Sequence, residues 1–192
     1  MSSPTPVHSK RRLFARNFFK HPRMLGSLIP SSRFLVDQIL EQVDWNRART
    51  IVEYGPGVGT ITGEILRRMH REARLVALET NPDFVQYLRQ HYPRERFSVE
   101  ARSAAEVRNV LQERRLPGAD VVISGIPFST LPPGVMDEVL RATHDALLPG
   151  GRFIVYQFSG KVLPHLEEYF GEVRTDFELL NILPARLFYA TR

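Results

Sequence analysis

The chain has no cysteine. Disulfides and thiolate metal sites are therefore excluded, and redox compartment cannot be read, leaving a cytoplasmic location as the default expectation. No apolar run approaches the roughly 18 residues needed to span a bilayer. The first residues lack the apolar core of a secretion signal. His8, His21, His70, His91, His144 and His165 are scattered without metal-ligand spacing, so no metal site is expected. Internal repeats and low-complexity segments are also missing. One further absence is informative: no acidic residue precedes Asp37. Lys10, Arg11, Arg12, Arg16, Lys20, Arg23 and Arg33 give that stretch +7 against +5 for the whole chain, leaving −2 for the remainder. This is a near-neutral domain with a basic head. Such heads attract phosphates, in nucleic acid or on an anionic membrane.

The 192 residues suffice for one well-buried domain. Residues 1–9 read as a disordered tail, 10–30 as a basic segment and 31–192 as the domain. In "KRRLFARNFFK" Phe14, Ala15, Phe18 and Phe19 share one helical face, and Arg12, Arg16, Asn17 and Lys20 the other. His21-Pro22 ends that helix. A second helix is expected over "PSSRFLVDQILEQVDW", capped by Ser31 or Ser32, with Phe34, Leu35, Ile39 and Leu40 facing inward. Strands follow at 50–54, 74–79, 96–100, 120–125 and 152–159. Helices alternate with them near 60–70, 82–91, 103–115 and 134–147. This alternation predicts an α/β, mostly parallel, doubly wound sheet. After a further helix, "VRTDFELLNILPARLFYATR" reads as two antiparallel strands turning near residues 181–184. The expectation is a seven-stranded sheet with an antiparallel hairpin at one edge.

The first strand runs into "EYGPGVGT", placing Glu53, Gly55, Gly57 and Gly59 as E-x-G-x-G-x-G. Glycines permit a tight turn and close approach of a ligand to the backbone, at the strand end where open α/β sheets bind ligands. Glu79 closes the next strand, 20 residues after Gly59. A carboxylate there can accept both hydroxyls of a ribose. A dinucleotide turn usually reads G-x-G-x-x-G and aims a helix start at a pyrophosphate. Here Glu53 stands two residues before the first glycine and would repel a pyrophosphate. S-adenosylmethionine carries no phosphate, and its ammonium and sulfonium suit that acid.

"VEYGPGVGTIT", "VALETNP" and "VVISGIPF" resemble motifs of the class I S-adenosylmethionine-dependent methyltransferases. The resemblance implies a single Rossmann-like domain whose last strand is reversed. It implies that Gly55, Gly57 and Gly59 lie under the methionine part of S-adenosylmethionine, and that Glu79 binds the ribose. Ser103 and Ala104 would lie beside the adenine, although many members carry an Asp where this chain reads "RSAA". Thr60, Thr80 and Ser124 complete the expected cofactor set, with Ser31 and Ser32 closing over it. The product would be S-adenosylhomocysteine.

In amino-methylating members the fourth strand ends in Asn/Asp-x-Pro-Tyr/Phe. Here the tetrapeptide is Gly125-Ile126-Pro127-Phe128. It resembles the Asn-Leu-Pro-Tyr of ribosomal RNA adenine dimethylases with glycine in the amide position. That loss removes a hydrogen-bonding side chain and is expected to open space. "HPRMLGSLIPSSRFL", "SGIPFSTLP", "VYQFS" and "LPARLFYATR" resemble the small bacterial phospholipid N-methyltransferases. This implies stepwise methylation of phosphatidylethanolamine towards phosphatidylcholine. Ornithine lipids or an RNA adenine are alternative substrates, and a non-enzymatic binding module is a third possibility. The carbonyls of Gly125 to Pro127 would orient the amine, and Phe128 would line the head-group pocket by cation–π attraction. Tyr156, on the fifth strand, is one candidate for taking the proton. Lys10, Arg11, Arg12, Phe14, Arg16, Phe18, Phe19 and Lys20 would bind an anionic membrane peripherally, at the inner face of the cytoplasmic membrane. A solvated basic face and an RNA arm are the other readings of that segment. A monomer without nucleic acid is expected.

Overall fold

The computed structural model describes residues 33–93, 95–178 and 185–192. The expected N-terminal amphipathic helix, and the turn at 181–184, lie outside these residues. The elements run α1 (Arg33–Leu40), β1 (Thr50–Tyr54), α2 (Thr60–Arg68), β2 (Arg74–Leu78), α3 (Pro82–His91), β3 (Phe97–Glu100), α4 (Val107–Glu113), β4 (Ala119–Ser124), α5 (Val135–Ala146), β5 (Leu147–Gln157), α6 (Leu163–Phe170), β6 (Val173–Glu178) and β7 (Ala185–Thr191). Short 3₁₀ turns lie at Ala104–Glu106 and Phe128–Thr130.

The seven strands form one sheet in the order β3-β2-β1-β4-β5-β7-β6. β1 to β5 are parallel, and β7 is antiparallel to both β5 and β6. β7 therefore lies inside the sheet and β6 forms the edge. Composition explains the placement. Leu187, Phe188 and Ala190 of β7 bury on both faces, whereas β6 is polar and mostly exposed. Charged side chains suit an unpaired edge.

Alternation along the strands divides the core. Ile51, Leu75, Ala77, Ile123, Ile154 and Leu187 face α1, α2 and α3. Val52, Tyr54, Val76, Val122, Phe153 and Phe188 face α4, α5 and α6. Covered on both sides, the central strands read as continuous apolar runs. In α1 the buried stripe is Leu35, Val36, Ile39 and Leu40, and Phe34, expected to face inward, is exposed. Phe34 lies outside the arc that the other four positions define. α3 starts where "TNPD" suggests: Asn81 accepts from the Asp83 amide at 2.9 Å, and Pro82 occupies the first turn. β5 begins five residues earlier than expected, at Leu147, with a register irregularity against β4.

Parity also sets up the site. Glu53, Glu79, Gly125 and Tyr156 continue the positions of Ile51, Ala77, Ile123 and Ile154. They therefore stand at the carboxyl ends of β1, β2, β4 and β5, on the α1–α3 side. No helix among the described residues is long and apolar enough to cross a membrane.

Candidate functional site

The turn after β1 depends on left-handed backbone. Gly55, Gly57 and Gly59 have φ of 64°, 56° and 74°. A side chain in that region costs roughly 1–2 kcal/mol. At Gly59 packing adds a second reason, since a Cβ would come 2.7 Å from the Tyr92 ring and 2.8 Å from Leu88. The Tyr92 hydroxyl donates to the Gly59 carbonyl at 2.5 Å and seals the turn from the α3 side. The Gly55 amide donates to the Leu78 carbonyl at 2.9 Å, and the Gly57 amide to Glu79 Oε2 at 3.1 Å. The turn is thus bonded to the end of β2 at two points. Thr60 opens α2 directly after Gly59.

Two buried carboxylates face this turn. Glu79 also accepts from the Asn81 amide at 2.8 Å. Burial raises its pKa, and the amides of Asn81, Gly57 and Thr80 oppose the rise. The bonds from the Gly57 and Asn81 amides leave other lone pairs of the carboxylate for hydroxyl donors. Glu53 is 1 % exposed. Its Oε2 accepts from the Thr62 hydroxyl at 2.7 Å, while Oε1 has no partner among the described residues. Burial pushes its pKa up to about 7; the Thr62 bond opposes this and the charge of Glu79 adds to it. An orphaned buried carboxylate oxygen costs roughly 1–3 kcal/mol. A cationic ligand removes that cost. The glycine turn, the orphaned Glu53 oxygen and the partly committed Glu79 together fit S-adenosylmethionine, whose cationic methionine end and ribose need those partners.

The hydroxyls of Ser103 and Ser124, also expected in the cofactor set, are engaged locally. The Ser103 hydroxyl accepts from the Ala105 amide at 3.3 Å, and the Glu106 carboxylate accepts from the Ser103 amide at 3.2 Å. This capping box engages the hydroxyl locally, and Ala104 is buried. Ser124 is wholly buried on the α4–α6 side, and its hydroxyl accepts from the Ile126 amide at 3.3 Å. It closes the turn after β4 and does not face Glu53. Thr80 is exposed beyond Glu79. Ser31, Ser32, Lys10, Arg11, Arg12, Phe14, Arg16, Phe18, Phe19 and Lys20 lie outside the described residues.

The loop at 125–131 differs from expectation at four points. First, the space beside Gly125 is not open. A Cβ there would lie 2.2 Å from the Tyr156 hydroxyl oxygen and 2.6 Å from Cζ. The neighbouring strand fills the volume. Second, the Pro127 carbonyl accepts from both the amide and the hydroxyl of Thr130, at 2.9 and 2.8 Å. It has no capacity left for an amine. The Gly125 and Ile126 carbonyls accept nothing from the described residues. Third, Phe128 is 2 % exposed and belongs to the α4–α6 core with Tyr54 and Phe153. Its ring anchors the loop from below and does not line a head-group pocket, so no cation–π contact to substrate is available. Fourth, burial raises the Tyr156 pKa beyond the ordinary phenol range, and the charges of Glu53 and Glu79 add to the rise. A neutral phenol is a weak proton acceptor, so the free protein does not prepare Tyr156 as a base.

Sequence reading missed Thr62, Tyr92 and Gln157. Gln157 is buried; its Oε1 accepts from the Phe128 amide at 3.2 Å and its Nε2 donates to the Ser159 carbonyl at 2.6 Å. It holds the loop to the end of β5. Each of the three acts across elements, so no local pattern signals it. Ile126 leans towards the glycine turn, its Cγ1 lying 3.5 Å from where a Gly55 Cβ would stand.

Comparison with known proteins adds the following. The family described as ribosomal RNA adenine dimethylase matches residues 18–103. An ornithine lipid N-methyltransferase of Singulisphaera acidiphila is 33% identical over 179 residues, covering 92% of this chain and 93% of that protein. Ribosomal RNA small subunit methyltransferase A of Methylobacillus flagellatus is 29% identical over 97 residues, covering 50% of this chain and 32% of that protein. Among solved structures, the N-methyltransferase NodS of Bradyrhizobium japonicum with S-adenosyl-L-homocysteine has a TM-score of 0.64 at 13% identity, covering 96% of this chain and 97% of that one. This last likeness concerns the fold.

Two outcomes are expected. Glu53 binds its proton more tightly when folded, with a pKa of about 7 against 4.5 unfolded. Its contribution to stability is complete below about pH 4.5 and is lost as pH rises through 7, on the order of 3 kcal/mol. Urea denaturation of the free protein at pH 5 and pH 8 should show this loss, and Glu53→Gln should reduce the slope. Phe128→Ala should lower unfolding free energy by about 3–5 kcal/mol, as removal of a core aromatic does. A stability change under about 1 kcal/mol would contradict the anchoring role.

Proposed function

The chain belongs to the class I S-adenosylmethionine-dependent methyltransferases, and from that membership we propose that it methylates the amine head group of a membrane lipid. The observation that carries this reading is the extent of the likeness. The lipid-methylating relative aligns with 92% of the chain. The RNA-methylating family match stops at residue 103, before β4 and the substrate-side loop. An ornithine head group and phosphatidylethanolamine both present a primary amine. The relative favours the first. The likeness of "SGIPFSTLP" and "LPARLFYATR" to phospholipid N-methyltransferases favours the second, with stepwise methylation towards phosphatidylcholine.

S-adenosylmethionine supplies an electrophilic methyl group bearing its own leaving group, so the chain's work is positioning and charge management. Glu53 Oε1 would meet the cationic methionine end, and Glu79 the ribose hydroxyls. The free carbonyls of Gly125 and Ile126 would accept N–H bonds from the amine and fix its approach. A lipid amine is mostly protonated at neutral pH and is unreactive in that form. An apolar, partly desolvated pocket lowers an amine's pKa and releases the proton to water. No side chain among the described residues of the loop is assigned as a base.

The basic segment at 10–30 would hold the enzyme on anionic lipid at the cytoplasmic face. Each Lys or Arg near such a surface contributes about 1 kcal/mol, and apolar side chains add burial at the interface. Phe14, Phe18 and Phe19 are the candidates for that burial.

Incubation with labelled S-adenosylmethionine tests the reading. Vesicles of anionic lipid containing ornithine lipid or phosphatidylethanolamine should acquire label, and structured RNA should not. Label in RNA alone would transfer the protein to base methylation. Label in neither, with the cofactor bound, would make it a binding module. Deleting residues 1–21 should abolish co-sedimentation with anionic vesicles while leaving cofactor binding measurable; persistent sedimentation would remove the segment from the anchoring role.

A further inference from the structure

Gly125 is not required by its backbone. Unlike Gly55, Gly57 and Gly59, it does not have positive φ. Any L-residue could adopt its conformation, so the demand for glycine comes from what surrounds it. A Cβ at this position would stand 2.2 Å from the Tyr156 hydroxyl oxygen and 2.6 Å from Cζ. Both atoms belong to a ring anchored on β5, and separations under 3 Å force a displacement. A side chain at residue 125 would therefore require the phenol end of Tyr156 to move.

The Tyr156 hydroxyl forms no hydrogen bond among the described residues, although the side chain is packed against the α1–α3 core. Tyr156 is partly buried, and its oxygen is not among the enclosed polar atoms that lack a partner, so it is open to a bound group. Its surroundings select the kind of partner. The Gly125 and Ile126 carbonyls beside it are free, and the electrostatic influence of Glu53 and Glu79 reaches the phenol oxygen. The cluster is rich in acceptors. It suits a group carrying several N–H bonds or a positive charge, and it lacks the fixed donor-and-acceptor edge that an amide side chain would offer to a planar base.

We infer that Tyr156 and Gly125 form a specificity-determining pair, in which the phenol occupies the volume of a side chain at 125 and turns its oxygen to the substrate amine. This rests on the lipid-amine reading above and extends it to named residues. Glycine at 125 makes room, and Tyr156 supplies the polar atom from the adjacent strand. The pair admits a tetrahedral amine and gives a planar amino-base no complementary edge.

Four variants test the pair, compared with the wild-type chain on vesicles containing ornithine lipid or phosphatidylethanolamine. Tyr156→Phe removes only the oxygen. It should leave the melting temperature and S-adenosylmethionine affinity unchanged and lower kcat/KM for lipid about tenfold, the size of one lost hydrogen bond. Gly125→Ala should lower both melting temperature and activity by displacing the ring. Gly125→Ala combined with Tyr156→Ala should be no less stable than Tyr156→Ala alone, because the clash has gone. Full kcat/KM in Tyr156→Phe, or unchanged stability in Gly125→Ala, would overturn the inference. If the wild-type chain itself labels no lipid, the lipid-amine reading fails instead, and the stability comparison still decides whether a side chain at 125 displaces the phenol.

Discussion

The bond from the Gly57 amide to the Glu79 carboxylate organises the cofactor end of this molecule. It joins the turn after β1 to the end of β2, and it forms only if residue 57 can occupy left-handed backbone. With Gly55 bonded to Leu78 and Tyr92 closing over Gly59, the turn is held on three sides. What results is a braced turn beside two buried carboxylates. Neither carboxylate is neutralised by a cation of the described protein, and one oxygen of Glu53 has no partner there. Burying such groups costs stability. A cationic ligand recovers that cost, so the strain of the free protein and the chemistry of S-adenosylmethionine are two sides of one arrangement.

The substrate side obeys a similar economy of polar atoms. The loop after β4 is held from below by the Phe128 ring in the core, from β5 by Gln157, and within itself by Thr130 on the Pro127 carbonyl. Those ties consume the donors and acceptors that could otherwise face a substrate. The carbonyls of Gly125 and Ile126, with the Tyr156 hydroxyl, remain. The prolines at 127, 132 and 133 keep the segment from continuing as helix or strand, so the uncommitted atoms stay fixed at the sheet's carboxyl edge. The resulting loop is rigid because its residues are packed and bonded, with the aromatic ring serving as an anchor and the small residue as clearance for a neighbour.

Much of this was legible in the residues. Alternating apolar strands and amphipathic helices located the elements to within a few residues, and the polar composition of β6 against the apolar β7 is consistent with β6 forming the edge. E-x-G-x-G-x-G followed by Glu79 placed the cofactor end, because glycine spacing and a strand-terminal acid are local features of one βαβ unit. The loop residues were read less well. Pro127 and Phe128 were expected to face substrate, yet one carbonyl is saturated and the ring is in the core. The hydroxyls of Ser103 and Ser124, expected beside the cofactor, accept from neighbouring backbone amides.

The sequence alone determined the fold class, the position of the glycine turn and its acids, and the division into a basic head and a near-neutral domain. These follow from periodicity, backbone permissiveness and charge, all of which are properties of contiguous residues. Only the tertiary structure decided what stands beside Gly125. A missing side chain leaves a gap on paper, and whether the gap is empty depends on the adjacent strand. Here β4 and β5 pair in a register that brings the Tyr156 phenol into it. The polar atom at that point of the site comes from a residue distant in sequence, because close packing fills any volume that a glycine leaves.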